Sequence, residues 1–261
     1  MAADPDKRVT SDQEQDFISH LIELRARLLR SILCVGLIFL ILCGFANELY
    51  SLVAAPALRH MGGAGTMIAT EVASAFFTPI KLAFYVSVYL AMPYILYQSW
   101  AFIAPGLYVR ERRFALPLLI SSILLFYTGI LFAFFIVFPV FFSFMATTTP
   151  EGVTVMTDIS HYLDFILSMF LAFGLAFEVP VLTLLLVWSG IVRLEVLIKN
   201  RPYVIIGVFV VAAILTPPDV LSQILLALPL WALFELGVFL AGRYTIGKKG
   251  EGAAGDVLAD E

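Results

Sequence analysis

FALPLLISSILLFYTGILFAFFIVFPVFFSFMATTTP, residues Phe114–Pro150, contains no charged side chain. About 20 apolar helical residues cross a hydrocarbon core of roughly 30 Å. The stretch therefore holds one membrane span and a loop capped by Thr147, Thr148 and Thr149. Working outward, five more apolar segments emerge: Ser31–Asn47, Leu82–Trp100, Tyr162–Trp188, Tyr203–Leu215 and Val220–Leu240. The second starts near Phe76, with Lys81 reaching toward an interface. The fourth is interrupted by Asp164 at its start and Glu178 inside, and Thr216-Pro217-Pro218-Asp219 separates the last two. The 261 residues are 61% hydrophobic and 14% charged, with a mean hydropathy of +0.96. That composition is that of an all-α integral membrane protein with six transmembrane helices.

Charge placement orients the spans. Arg25, Arg27 and Arg30 precede the first; Arg110, Arg112 and Arg113 lie between the second and third; Arg193, Lys199 and Arg201 lie between the fourth and fifth; Arg243, Lys248 and Lys249 follow the sixth. The intervening loops carry Arg59 and Lys81, then Glu151 and Asp158, then Asp219. By the positive-inside rule both termini are cytoplasmic.

Before the first span, Phe17, Leu21, Leu24 and Leu28 recur at helical spacing opposite Asp16, His20, Glu23 and Arg27. This predicts an interfacial amphipathic helix over Ser11–Arg30. The membrane domain is expected over 17–244, with a cytoplasmic N-terminal segment 1–16 and a disordered cytoplasmic tail 245–261 rich in glycine and acid. Pro79, Pro93, Pro117, Pro139, Pro180 and Pro229 fall inside spans, so a kinked, concave bundle is expected. The fifth segment, at about 1.5 Å per residue, reaches only about 20 Å, short of the hydrocarbon thickness.

Function classes narrow quickly. A net charge of -4 excludes a basic nucleic-acid binder. Cys34 and Cys43 both lie in the first span and read as lipid-facing or packing residues, with no disulfide framework or metal site. The three histidines, His20, His60 and His161, lie outside the spans, and no G-x-S-x-G, H-E-x-x-H or phosphate loop occurs. No enzyme, cofactor or metal site is expected.

Four polar residues remain. Glu178 is an ionisable group within a span, where a charge at the centre costs about 2.5–3.5 kcal/mol; it is either a polar site facing a cavity or a hydrogen-bonded structural carboxyl. Gln223 either joins a partner helix or bonds within the chain. Glu23 and Glu111 read as local pairs of Arg27 and of the flanking arginines, or as cytoplasmic binding groups.

The stretch Phe17-Ile18-Ser19-His20-Leu21-Ile22-Glu23-Leu24-Arg25-Ala26-Arg27 and the stretch Ala101-Phe102-Ile103-Ala104-Pro105-Gly106-Leu107-Tyr108 with Glu111-Arg112-Arg113 together resemble the TatC family. Phe177-Glu178-Val179-Pro180, Arg201-Pro202-Tyr203 and Leu215-Thr216-Pro217-Pro218-Asp219 continue the likeness, which covers about Phe17 to Tyr244.

The resemblance implies the receptor subunit of a twin-arginine translocase in the bacterial cytoplasmic (inner) membrane. Such a receptor binds twin-arginine signal peptides and exports folded proteins on the protonmotive force, with TatB-type and TatA-type single-span partners and self-association in a multimeric complex. It implies signal-peptide contacts at Glu23, Glu111, Phe102 and Leu107, a membrane polar site at Glu178, partner-helix docking at Thr216 and Gln223, and assembly through a loop containing Pro56. The alternative is a proton-coupled secondary transporter of a small solute, using Glu178 as its proton site.

Overall fold

A computed structural model describes residues 5–52, 73–103, 115–148, 158–215 and 220–257. Among the described residues the chain is helical with no β-strand, as the composition requires. The helices are α1 (Pro5–Cys43), α2 (46–52), α3 (Ser74–Ile103), α4 (Ala115–Phe132), α5 (Phe138–Thr148), α6 (Ile159–Ala176), α7 (Val179–Trp188), α8 (Leu194–Lys199), α9 (Arg201–Leu215) and α10 (Val220–Val257). Five apolar stretches are long enough to cross a membrane: Ile18–Cys43, Phe76–Ile103, Leu116–Phe144, Ile159–Trp188 and Leu226–Arg243. The expected fifth span forms the short helix α9, whose 15 residues reach about 22 Å. The last helix, α10, runs past Arg243 into the segment expected as a tail.

The chain divides into two compact units, one of residues 1–54 and 79–119, the other of 55–78 and 120–261. In the first, α1 departs from the sequence reading. The amphipathic segment and the first span are one uninterrupted helix, because no proline or glycine lies between Pro5 and Gly36 to break the i→i−4 ladder. Its orientation is also unlike a simple amphipath. Leu21, Leu24 and Leu28 are exposed, while the polar stripe turns toward the C-terminal end of α3 through Arg27 and His20. Further along, Phe39 meets Phe84 edge to face, with centroids 5.9 Å apart.

Half of the six prolines are placed where a missing amide costs little. Pro117 and Pro180 stand in the first turns of α4 and α7, where an amide hydrogen has no helical acceptor to reach, so they begin helices rather than kink them. Pro139 follows a π-helical turn, Ala133–Val137, in which the Phe138 N–H reaches back five residues to the Ala133 carbonyl. Of the six, only Pro79, Pro93 and Pro229 sit inside helices.

Helix packing here uses small residues, as expected where lipid competes with side chains for apolar contact. Gly129 of α4 lies against the backbone of Phe173 on α6, and the Phe126 ring lies over Gly174. Gly237 of α10 abuts Pro180 and Thr183 of α7, where an added Cβ would stand 2.9 Å from the Pro180 Cα. Beyond this seam the phenylalanines of α4, the π turn, α5 and α6 stack in sequence, Phe132 on Phe173 and Phe177, Phe138 on Phe170, and Phe141 on Phe165 at 4.7 Å.

Polar contacts and one glycine turn set the ends of these helices and tie them together. Asp158 caps α6 by accepting the amides of Ser160 at 2.8 Å and His161 at 3.3 Å, and the Ser160 hydroxyl lies 3.3 Å from that of Thr78. Gly190, at φ +71°, turns the chain out of α7 in the left-handed conformation that glycine adopts without strain. The α9 helix is held to α10 by Arg201 Nη2 donating to Glu235 Oε2 at 2.7 Å and by Gln223 Nε2 donating to the Phe209 carbonyl at 3.0 Å.

Gly129→Ala is expected to destabilise by about 1–3 kcal/mol through overpacking against the Phe173 backbone, read as a lower thermal unfolding midpoint of the purified protein. Gly36→Ala, with no heavy atom within 4 Å, is the control, whose midpoint should not fall, since alanine favours the helix interior over glycine. A double-mutant cycle on Arg201→Gln and Glu235→Gln should return a coupling of up to about 1 kcal/mol, since both side chains are partly exposed.

Candidate functional site

On α1, His20, Glu23 and Arg27 lie three and four residues apart and so share one helical face. On α3, Gln98 and Phe102 do the same. The pairing is antiparallel: the His20 ring stacks on Phe102 with centroids 4.2 Å apart and planes 20° from parallel, and one turn on, Arg27 Nη1 donates to Gln98 Oε1 at 3.2 Å. Gln98 is 5% exposed, so the guanidinium satisfies a buried amide oxygen that would otherwise be stranded.

Glu23 completes the patch. Arg27 Nε and Nη2 both donate to its Oε1, at 2.9 and 2.6 Å, which leaves Oε2 with no hydrogen-bond partner among the described residues. The Glu23 side chain is 38% exposed and that of Arg27 20%. The local pair expected from the i,i+4 spacing thus exists, and in water such a pair contributes only about 0.3–0.5 kcal/mol. It uses one of the two carboxylate oxygens, on a side chain that stays partly exposed.

Glu178 occupies a different kind of place. The fourth apolar stretch is not one helix but two, and Glu178 sits at the joint between α6 and α7. Its amide donates to the Leu175 carbonyl at 3.1 Å in a tightened last turn, and Pro180 two residues on has no amide to continue the ladder. The residue is 7% exposed. The carboxyl is hydrogen-bonded by Ser122 of α4, itself fully buried, while Oε1 has no hydrogen-bond partner among the described residues. A buried, half-satisfied carboxyl at a helix break can take a further hydrogen-bond donor.

Gln223 uses its amide nitrogen on the Phe209 carbonyl within the chain. Pro56, Leu107, Glu111 and Thr216 lie outside the described residues. The structure thus brings Glu23 and Phe102 onto one patch and gives Glu178 and Gln223 separate positions. Sequence reasoning missed Gln98. A lone amide in an apolar span was its only signal, and a partner so far along the chain cannot be read from spacing.

Residues 19–229 match the family described as Sec-independent protein translocase protein (TatC). The Sec-independent protein translocase protein TatC of Azotobacter chroococcum is 56% identical over 256 residues, covering 98% of each chain. Its namesake from Escherichia coli strain K12 is 58% identical over 237 residues, 91% of this chain and 92% of that one. A crystal structure of the twin arginine translocase receptor TatC superposes with a TM-score of 0.79 at 38% identity, covering 87% of this chain and 99% of the other. These matches give no support to the solute-transporter alternative, and the motif likeness, the helical architecture and the relatives agree on one conclusion: this multi-pass membrane protein belongs to the TatC family.

Proposed function

We propose that the chain is the non-catalytic signal-peptide receptor of a twin-arginine translocase, exporting folded proteins across the bacterial cytoplasmic membrane on the protonmotive force. The observation that carries this is the polar patch on α1 and α3, where His20 stacks on Phe102 and Glu23 Oε2 has no hydrogen-bond partner among the described residues. In an extended peptide, successive side chains leave opposite faces, so two adjacent arginines suit two carboxylates on different segments. Glu23 supplies one from α1 and Glu111 supplies the other from the segment between α3 and α4. Phe102 and Leu107 flank them as apolar contacts for the rest of the peptide.

The six apolar segments span the membrane with both termini cytoplasmic, within a membrane domain covering residues 17–244. Charge placement supports this orientation, and it puts both carboxylates on the cargo side. TatB-type and TatA-type single-span proteins and further copies of this chain complete the complex. Glu178 offers its unsatisfied oxygen to a polar group entering the membrane, Thr216 and Gln223 dock a partner helix, and the loop containing Pro56 serves assembly. An ionisable group buried within a span, as Glu178 is, is the usual mark of function in a bilayer.

Glu111→Arg should abolish export of folded cargo while membrane insertion and accumulation stay normal; export at the wild-type rate by that variant refutes the two-carboxylate reading. For Glu178→Leu the expectation is export reduced by tenfold or more, roughly the loss of one charge-assisted hydrogen bond, with signal-peptide affinity unchanged. Wild-type export there makes the carboxyl structural only.

A further inference from the structure

A guanidinium is distinguished from an ammonium by its fork: two parallel N–H donors that fit the two oxygens of one carboxylate. That discrimination requires both oxygens to be open. At Glu23 they are not, because Arg27 places Nε and Nη2 together on Oε1. The Arg27 side chain is not free to leave at no cost, since its third donor, Nη1, holds the buried Gln98 oxygen at 3.2 Å. What remains for a ligand is Oε2, which has no hydrogen-bond partner among the described residues, on a partly exposed carboxylate already bearing one positive neighbour.

We propose that Arg27, fastened by Gln98, restricts Glu23 to single-oxygen recognition, so that the signal-peptide residue facing Glu23 is read as a positive charge and not as an arginine fork. Arg27 is thereby a specificity-setting residue that touches no substrate. The consequence is an asymmetric requirement within the twin-arginine pair: the position that meets Glu23 accepts lysine, and arginine is demanded only at the other. This rests on the signal-peptide reading of Glu23 given above.

The test is equilibrium binding to the purified full-length protein in lipid nanodiscs, using four signal peptides that differ only at the pair: Arg-Arg, Lys-Arg, Arg-Lys and Lys-Lys. The wild type is expected to bind one single-lysine peptide within about twofold of Arg-Arg and the other about tenfold more weakly. Glu23→Gln identifies the tolerant position, because it weakens Arg-Arg and the tolerated single-lysine peptide alike. Arg27→Met opens Oε1, so the tolerant position becomes selective and its lysine peptide drops about tenfold behind Arg-Arg. Should that variant aggregate, Arg27→Lys is the second arm, with the same shift in ratio at about threefold, an ammonium covering Oε1 less completely.

Arg27 variants whose four affinities keep the wild-type ratios overturn the proposal. So does a wild type that rejects both single-lysine peptides equally. An Arg-Arg affinity unchanged by Glu23→Gln overturns instead the reading of Glu23 as a peptide contact.

Discussion

A peptide group left without a hydrogen bond in hydrocarbon costs several kcal/mol, and water is not there to supply the partner. Every regular feature of this chain follows from that constraint. It explains why the described residues are helical and why half of the in-span prolines stand at helix starts or beside a π turn, where a missing amide strands nothing. It also explains why the interruption of a span at Phe177 and Glu178 leaves few backbone groups unpaired, with Phe177 N–H on the Phe173 carbonyl, Glu178 N–H on that of Leu175 in a tightened turn, and Leu182 N–H on that of Glu178. The carboxyl at the joint then sits buried because the backbone that carries it must be.

The same absence of water changes what holds helices together. Apolar burial brings little when the alternative is lipid, and the contacts with specific geometry are accordingly close backbone approaches at Gly129, Gly174 and Gly237 and a few polar clamps. Arg201 with Glu235, Gln223 with Phe209, and Arg27 with Gln98 each tie two helices by a group that would be poorly placed in lipid. In two of the three, the contact that fixes the helices comes from an arginine within the stretches that carry the family resemblance.

Much of the fold was legible because hydropathy and charge report on it directly. The uncharged run Phe114–Pro150 became the continuous stretch α4, π turn and α5, and the short apolar segment before Thr216 became the short helix α9. The break at Glu178 was visible as a charge inside a span, though not as two helices, since a proline reads as a kink or a start depending on neighbours that spacing does not reveal. Glu23 was legible as a local pair from its i,i+4 spacing to Arg27, and that pair is present. Gln98 and the Arg201–Glu235 pair were not legible, because partners so far apart in the chain meet only through tertiary packing.

The unbroken helix α1 has a mechanical consequence. Its 39 residues make a rod of about 58 Å, roughly twice the hydrocarbon thickness, so the helix is longer than one crossing of the bilayer needs. A rod with no hinge turns any sideways force on its outer end into a tilt of its inner end, with the headgroup region as fulcrum. A force applied at the end of α1 that bears Glu23 would therefore reach Phe39 as leverage, without whatever exerts it having entered the membrane.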